Sequence, residues 1–372
     1  MELLVELSLL DSWGYGPFFS TAFSSLARAD LAPARVLSDL GACLEVTDAS
    51  HPVRFAHLSG RLRHASLVVH QRPTVGDWVA ISDPGDPTNP DALAVVHHVL
   101  PRRTQLVRRA AGRRDDAQVV AANVDTFFVV TSANRDANPR RIERYLTAVW
   151  DSGAAPVIVV NKADLCAAGE LAAATAGLAA VAPGVPIVSV SAHSGTGMGE
   201  LGAYLRSGHT VALIGSSGVG KSSLVNRLLG HARQAVLAID DDDRGRHATT
   251  RRQLFALPSG GLVIDTPGMR ELGLLDRAGG LDETFADVAE LAAVCRFRDC
   301  RHHGEPGCAV DAAISTGDLD PARRDALHKL ERELAAADRR RDPVQAREER
   351  ARSKAINRSL RARTRVDPKL RR

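Results

Sequence analysis

The chain has 372 residues, enough for two or three domains at roughly 150 residues each. Hydrophobic residues make up 44% and charged residues 25%, which excludes collagen-like, mucin-like and wholly disordered classes. The net charge of +4 is unevenly spread: residues 351–372 hold nine basic side chains against Asp367 alone, a tail of +8 that leaves −4 on the rest.

Residues 1–35 carry no usable motif and read as an N-terminal extension. Its opening, MELLVELSLLDSW, carries Glu2 and Glu6 and lacks the basic lead of a signal peptide. No later stretch approaches the ~20 apolar residues that cross a bilayer, so a cytoplasmic chain without a membrane partner is expected. Over 36–112 the sequence breaks into short β-like runs, Ala42–Val46, Val53–Ala56, Asp77–Ile81 and Leu93–Val96, separated by turn material such as Ser82–Pro87. Four or five such strands predict a small β-barrel, an OB-fold first and an SH3-like barrel second. A basic run follows, with Arg102, Arg103, Arg108, Arg109, Arg113 and Arg114. Two separated basic patches on a near-neutral body fit a polyanionic partner; the plainer alternative is a solvated tail.

The pattern changes over 118–276. Apolar runs (Phe127–Val130, Val157–Val160, Ile187–Val190, Val211–Ile214, Leu262–Ile264) alternate with helical stretches. Continuous β-rich runs are how strands buried on both faces read, so a parallel α/β sheet is expected. From 277 the chain turns helical, over 283–294 and over 321–338, where Asp320 is the N-cap and Pro321 the first helical residue. A last charged helix is expected from 343.

Gly215-Ser216-Ser217-Gly218-Val219-Gly220-Lys221-Ser222 matches GxxxxGK[ST], directly after one apolar run and before the helix opening near Ser223. Such a loop turns backbone N–H groups and a helix N-terminus toward phosphates. Lys221 is the candidate for the β/γ-phosphates and Ser222 for Mg²⁺. Asp265-Thr266-Pro267-Gly268 supplies the second half, with Asp265 for the Mg²⁺ shell and the Gly268 N–H for the γ-phosphate. Asn161-Lys162-Ala163-Asp164 is similar to the NKxD element of GTPases, since a carboxylate at Asp164 can accept from guanine N1–H and N2, a donor pair adenine lacks. Ser191-Ala192 is similar to the loop whose N–H meets guanine O6. These sites close strands of one sheet, where α/β proteins bind ligands, and they favour GTP over ATP. Two of only five lysines, against forty-three arginines, are Lys162 and Lys221. Such a bias suggests that a guanidinium would not serve at those positions.

The order of the motifs is informative. A Ras-like GTPase reads phosphate loop, switch threonine, DxxG, NKxD, then SA. Here NKAD comes first at 161, SA at 191, the phosphate loop at 215, threonines at 249–250 and DTPG at 265. The ring order is intact but cut between DTPG and NKAD, a circular permutation, which a sheet tolerates because strand neighbours are set in space.

Five cysteines are present, three of them clustered. Cys295, Cys300, His302 and Cys308 form a Cys₃His set for a structural zinc ion, with His303 a competing ligand by spacing alone. Cys43 and Cys166 stand alone and read as buried free thiols.

With barrel, permuted motifs and zinc cluster in one order, the chain resembles the RsgA (YjeQ-type) family of circularly permuted GTPases of small ribosomal subunit biogenesis. The resemblance covers roughly residues 36–372 and rests on Val75-Gly76-Asp77, Asn161–Asp164, Gly215–Ser223, Gly245–Thr250, Asp265–Gly268 and Cys295–Cys308. It implies a multidomain α/β chain: an OB-fold at 36–112, a circularly permuted Ras-like P-loop GTPase domain at 118–276, and a helical zinc-binding domain with a basic tail at 277–372. It also implies GTP hydrolysis to GDP and phosphate, stimulated by the 30S ribosomal subunit, and binding to that subunit and its 16S rRNA. His302 rather than His303 is then the zinc ligand. The family's run of three threonines is Ala248-Thr249-Thr250 here, so either threonine could serve Mg²⁺, and Thr250 is favoured. His247 is the candidate catalytic side chain, because Met269 stands where many GTPases carry a water-orienting Gln. A monomer is expected. Two alternatives fit parts of the pattern: an RNA-binding assembly factor using GTP only as a conformational ligand, and a P-loop ATPase or kinase with an accessory zinc module, against which Asp164 argues.

Overall fold

The computed structural model describes residues 9–65, 72–83, 93–109, 117–133, 137–230, 252–266 and 279–341. His247, Thr249, Thr250, Gly268, Met269, Arg113, Arg114, the helix expected from 343 and the basic tail lie outside these residues.

The barrel strands are β1 (Ala32–Asp39), β2 (Leu44–Thr47), β3 (Arg54–Leu58), β4 (Trp78–Ser82) and β5 (Ala94–Val99). They pair in the closed ring β1-β2-β3-β5-β4-β1, antiparallel throughout except for β3 with β5. This five-stranded closure with a crossover and a helix (Gly60–Ala65) after β3 is the OB-fold arrangement. Alternating residues fill its interior, among them Val36, Val46, Ala56, Val79 and Val96.

The first barrel strand begins at Ala32, ahead of the boundary expected at 36. The residues before it also carry structure. A helix over Pro17–Ser24 buries Phe19, which with Tyr15 covers the fully buried ring of Trp78 at 5.8 and 4.8 Å. Cys43 and Cys166 are partly exposed, not buried as expected.

A hairpin of β6 (Gln105–Arg109) and β7 (Ala117–Ala122) leads into the α/β domain. There the strands are β8 (Thr126–Ser132), β9 (Ala155–Asn161), β10 (Ile187–Ser189), β11 (Thr210–Gly215), β12 (Gln253–Ala256) and β13 (Leu262–Asp265). Their order is β10-β9-β8-β11-β13-β12, parallel except for β12. Helices Pro139–Asp151, Ala168–Val181 and Lys221–Leu229 cover it, and two apolar clusters fill its faces. The strand feeding the phosphate loop, β11, is central, between β8 from the start of the domain and β13 from its end. That is the permutation read from the motif order.

The domains are joined by buried charge. Arg35 of β1, 1% exposed, donates to the carbonyl of Trp13, to that of Asn123 at 3.2 Å and to Thr210 Oγ1 at 2.9 Å. Burial lowers its pKa to about 10, which leaves it charged at neutral pH. Within the barrel, Asp77, fully buried, takes a two-pronged bond from Arg102, both contacts 2.7 Å. Edge strand β12 also bridges to β1, Gln253 opposite Ser38.

The C-terminal module holds helices Gly279–Thr284, Ala286–Ala292, Ala309–Thr316 and Pro321–Arg341 around its own apolar core. The stretch expected as one helix over 283–294 is two, broken at Phe285. Asp320 caps the last helix, its Oδ1 accepting from the Ala322 N–H at 2.8 Å. Among the described residues no helix is long and apolar enough to cross a membrane.

Candidate functional site

The phosphate loop leaves β11 at Gly215, whose φ is +146° and where a Cβ would sit 2.1 Å from the Val130 carbonyl oxygen. No side chain fits there. The loop ends at Gly220, φ +94°, where a Cβ would meet Asn161 Nδ2 at 2.3 Å, and the helix Lys221–Leu229 begins. Val219 is buried and anchors the loop to the apolar core beneath it, while Ser217, Gly218, Ser222 and Ser223 are exposed on its mouth. Lys221 Nζ donates to the carbonyls of Gly215 and Ser216, both at 2.7 Å. An ammonium held there beside a helix N-terminus makes an anion-binding concavity.

Asn161 ties the expected motifs together. Standing 2% exposed at the end of β9, it donates to the Val219 carbonyl of the phosphate loop at 2.8 Å. Its Oδ1 accepts the Ala192 N–H at 3.1 Å. The Ala163 N–H meets the Val190 carbonyl at 3.1 Å, so the two base-side loops are also joined directly. Lys162 adopts a left-handed φ of +63° and extends Nζ to the Gly218 carbonyl at 2.7 Å. Asp164 lies in the exposed single turn Ala163–Leu165 at the rim. Ser191 is fully buried, its Oγ accepting from the Ser194 N–H at 3.0 Å, which stiffens the Ser191-Ala192 loop.

Asp265 closes β13 beside β11 and is 4% exposed; the next residue, Thr266, donates its hydroxyl to the Leu213 carbonyl. The sheet thus brings Asn161, Lys162, Ala163, Asp164, Ser191, Ala192, the loop Gly215–Ser223 and Asp265 to the C-terminal ends of its parallel strands. One contact had no sequence signal: Arg141 Nη1 donates to Ser216 Oγ at 2.7 Å.

In the C-terminal module, Cys295, Cys300, His302 and Cys308 bring their ligand atoms within 4.8 Å of one another. His302 turns Nδ1 inward, 3.7 Å from Cys295 Sγ and 3.4 Å from Cys308 Sγ, from a left-handed φ of +58°. The Ala309 and Asp311 N–H groups approach Cys295 and Cys308 sulfurs at 3.3 and 3.4 Å, the donors that thiolates use. His303 instead stacks on His328, ring centroids 4.3 Å apart. Three sulfurs and one imidazole nitrogen suit a tetrahedral metal site.

A family model described as RsgA GTPase matches residues 99–275. A curated relative from Opitutus terrae, named small ribosomal subunit biogenesis GTPase RsgA, is 47% identical over 96% of this chain and 98% of its own length. The chain belongs to the RsgA GTPase family. Another relative of the same name, from Streptomyces coelicolor, is 44% identical over 88% of this chain and 87% of its own. Among solved structures, YjeQ from Thermotoga maritima aligns with a TM-score of 0.61 at 27% identity, covering 82% of this chain and 99% of that one. A structure described as YloQ, a circularly permuted GTPase, aligns at a TM-score of 0.59 and 24% identity over 83% of this chain and 96% of its own, a likeness of fold. Membership of the RsgA family makes this chain a GTP hydrolase with permuted motif order, as the strand order independently requires.

Proposed function

We propose that this chain acts in late assembly and maturation of the 30S ribosomal subunit, hydrolysing GTP to GDP and phosphate with stimulation by the subunit and with 16S rRNA as its polyanionic partner. The observation that carries the nucleotide reading is Asn161, which binds the phosphate loop and the Ser191-Ala192 loop from one side chain. Guanine is then read by Asp164 and by the Ala192 side of the site. The phosphates lie against the N–H groups of Gly215–Ser223 and Lys221, and the Gly268 N–H senses the third. Ser222, Thr250 and Asp265 would hold Mg²⁺, which offsets phosphate charge when bound. His247 is the residue assigned to water activation. The Cys295, Cys300, His302 and Cys308 set would hold one zinc ion, a structural role because four protein ligands leave no open position. The names of the relatives support the ribosomal partner. The basic runs at 102–114 and 352–372 would meet rRNA phosphates. The chain acts as a cytoplasmic monomer.

GTP turnover measured with and without purified 30S subunits tests this reading. A rise of at least about tenfold, a barrier change of ~1.4 kcal/mol, is expected. Negligible turnover even on the subunit would reduce GTP to a conformational ligand.

A further inference from the structure

One helix, Pro139–Asp151, touches both the phosphate loop and the C-terminal module. Its first turn is fixed by Asn138, whose side chain accepts from the N–H groups of Arg140 and Arg141. From that turn Arg141 Nη1 reaches Ser216 Oγ at 2.7 Å, while Lys221 Nζ holds the carbonyl oxygen of the same serine at 2.7 Å. Ser216 is therefore gripped by two cations, at its hydroxyl and at its carbonyl.

Two residues further on, Glu143 is 1% exposed and accepts from Arg323 Nη1 at 2.8 Å. Arg323, itself 3% exposed, also donates to the carbonyls of Val181 and Thr284 and to both oxygens of Asp287, and packs 4.4 Å over the Phe285 ring. Burial opposes its charge, but Asp287 and Glu143 raise its pKa above the ordinary arginine value. Along the rest of the helix, Thr147 Oγ1 meets Thr284 Oγ1 at 3.2 Å and Asp151 Oδ1 accepts the Gly280 N–H at 2.7 Å. A Cβ at Gly280 would come 2.3 Å from the Thr147 carbonyl, so the two helices lie backbone to backbone.

We propose that Arg141 is a positioning residue for GTP hydrolysis, and that docking of the C-terminal module on the same helix sets its position. Holding the Ser216 hydroxyl fixes the orientation of the Ser216 carbonyl, and with it the Lys221 ammonium. Hydrolysis in P-loop enzymes depends on such preorganised charge more than on covalent chemistry. A helix is stiff at this length, so a shift of Glu143 or Gly280 moves the first turn and Arg141 with it. The proposal rests on Gly215–Ser222 as the phosphate loop; GTP binding by the wild-type chain, read in the same titration, tests that assignment separately.

The experiment uses the full chain with Arg141→Ala, Ser216→Ala, Arg323→Met and their pairs, each checked by thermal melting. Single-turnover hydrolysis and the GTP dissociation constant are measured for each. Arg141→Ala and Ser216→Ala should each slow hydrolysis about fivefold, the net weight of one ordinary hydrogen bond, with GTP affinity changed less than about twofold. The pair should be no slower than either alone, and Arg141→Lys should recover most of the rate only where Ser216 is present. Arg323→Met should slow hydrolysis by a similar factor and add nothing to Arg141→Ala; if it melts too early, Arg323→Lys, which cannot serve the same acceptors, replaces it. Wild-type hydrolysis in either single variant overturns the proposal. So does multiplication of the Arg141 effect with that of Ser216 or of Arg323.

Discussion

Asn161 concentrates more of the nucleotide site in one side chain than any other described residue, because both its amide ends serve backbone groups of different loops. Asn161→Ala leaves the Val219 carbonyl and the Ala192 N–H without those partners in a nearly closed setting. Each orphaned group costs about 1–3 kcal/mol. The variant should melt several degrees lower and bind a fluorescent guanine nucleotide at least about tenfold more weakly; equal melting and affinity would mean the two bonds contribute nothing. Asp164 presents the opposite case, exposed and structurally cheap to change. Asp164→Asn should keep the melting temperature while exchanging GTP for xanthosine triphosphate, whose C2 oxygen accepts a donor. Loss of a charged two-pronged contact is about 2–4 kcal/mol, or roughly 30- to 1,000-fold in affinity. A competition titration with the two nucleotides decides it, and unchanged GTP preference removes the guanine assignment from Asp164.

At the scale of elements, the cysteine-bearing loop is short, exposed and bounded by helices Ala286–Ala292 and Ala309–Thr316, whose apolar faces share one small core. A core that small does not by itself fix this exposed loop, and metal binding would supply the folding free energy. One zinc per chain is expected by metal analysis. Chelation or Cys300→Ser should raise hydrogen exchange across 279–341 and spare β8, β9 and β11; uniform exchange before and after chelation would refute a structural role. The same elements explain what could be read beforehand. Strands β8, β9 and β11 are buried along nearly their whole length, so they stand out as unbroken apolar runs. Strand β1 was hidden because it too is buried on both faces, but carries Arg35 on the side toward the α/β domain. A buried arginine held by three distant oxygens looks like surface in a sequence. The two-helix break at Phe285 was equally hidden, since the ring lies under Arg323 from another helix. The Arg141–Ser216 and Glu143–Arg323 contacts span 75 and 180 residues, and no local pattern encodes a pair so far apart. The phosphate loop and the cysteine cluster, by contrast, have fixed short spacings and were legible as they stand.

For the whole molecule, the permutation decides where the chain goes after Asp265–Gly268. Thr249 and Thr250 are followed almost at once by β12, the strand that bridges to β1 of the barrel. Asp265–Gly268 is followed by the chain into helix Gly279–Thr284, which lies on helix Pro139–Asp151 and opens the C-terminal module. In the unpermuted order Asp265–Gly268 would continue into more of the same sheet; here it leads to the C-terminal module, while the threonines still lead into β12, which borders the barrel. Loss of the γ-phosphate releases contacts at such segments, an order–disorder change that repositions what they carry. Because the barrel is fastened through Arg35 and the β1–β12 pairing, and the module through Arg323, each would respond as a body. Under the proposed ribosomal role, in which both bodies meet the subunit, nucleotide state would bring them into or out of a matching spacing. Linkage requires that the nucleotide favouring subunit binding is itself bound more tightly on the subunit. Sedimentation of the chain with 30S subunits should show tight association with a non-hydrolysable GTP analogue and association at least about tenfold weaker with GDP, a coupling of ~1.4 kcal/mol. The GTP analogue should in turn dissociate more slowly from the subunit-bound chain. Equal 30S affinity in the two nucleotide states would defeat this coupling even with GTP turnover established.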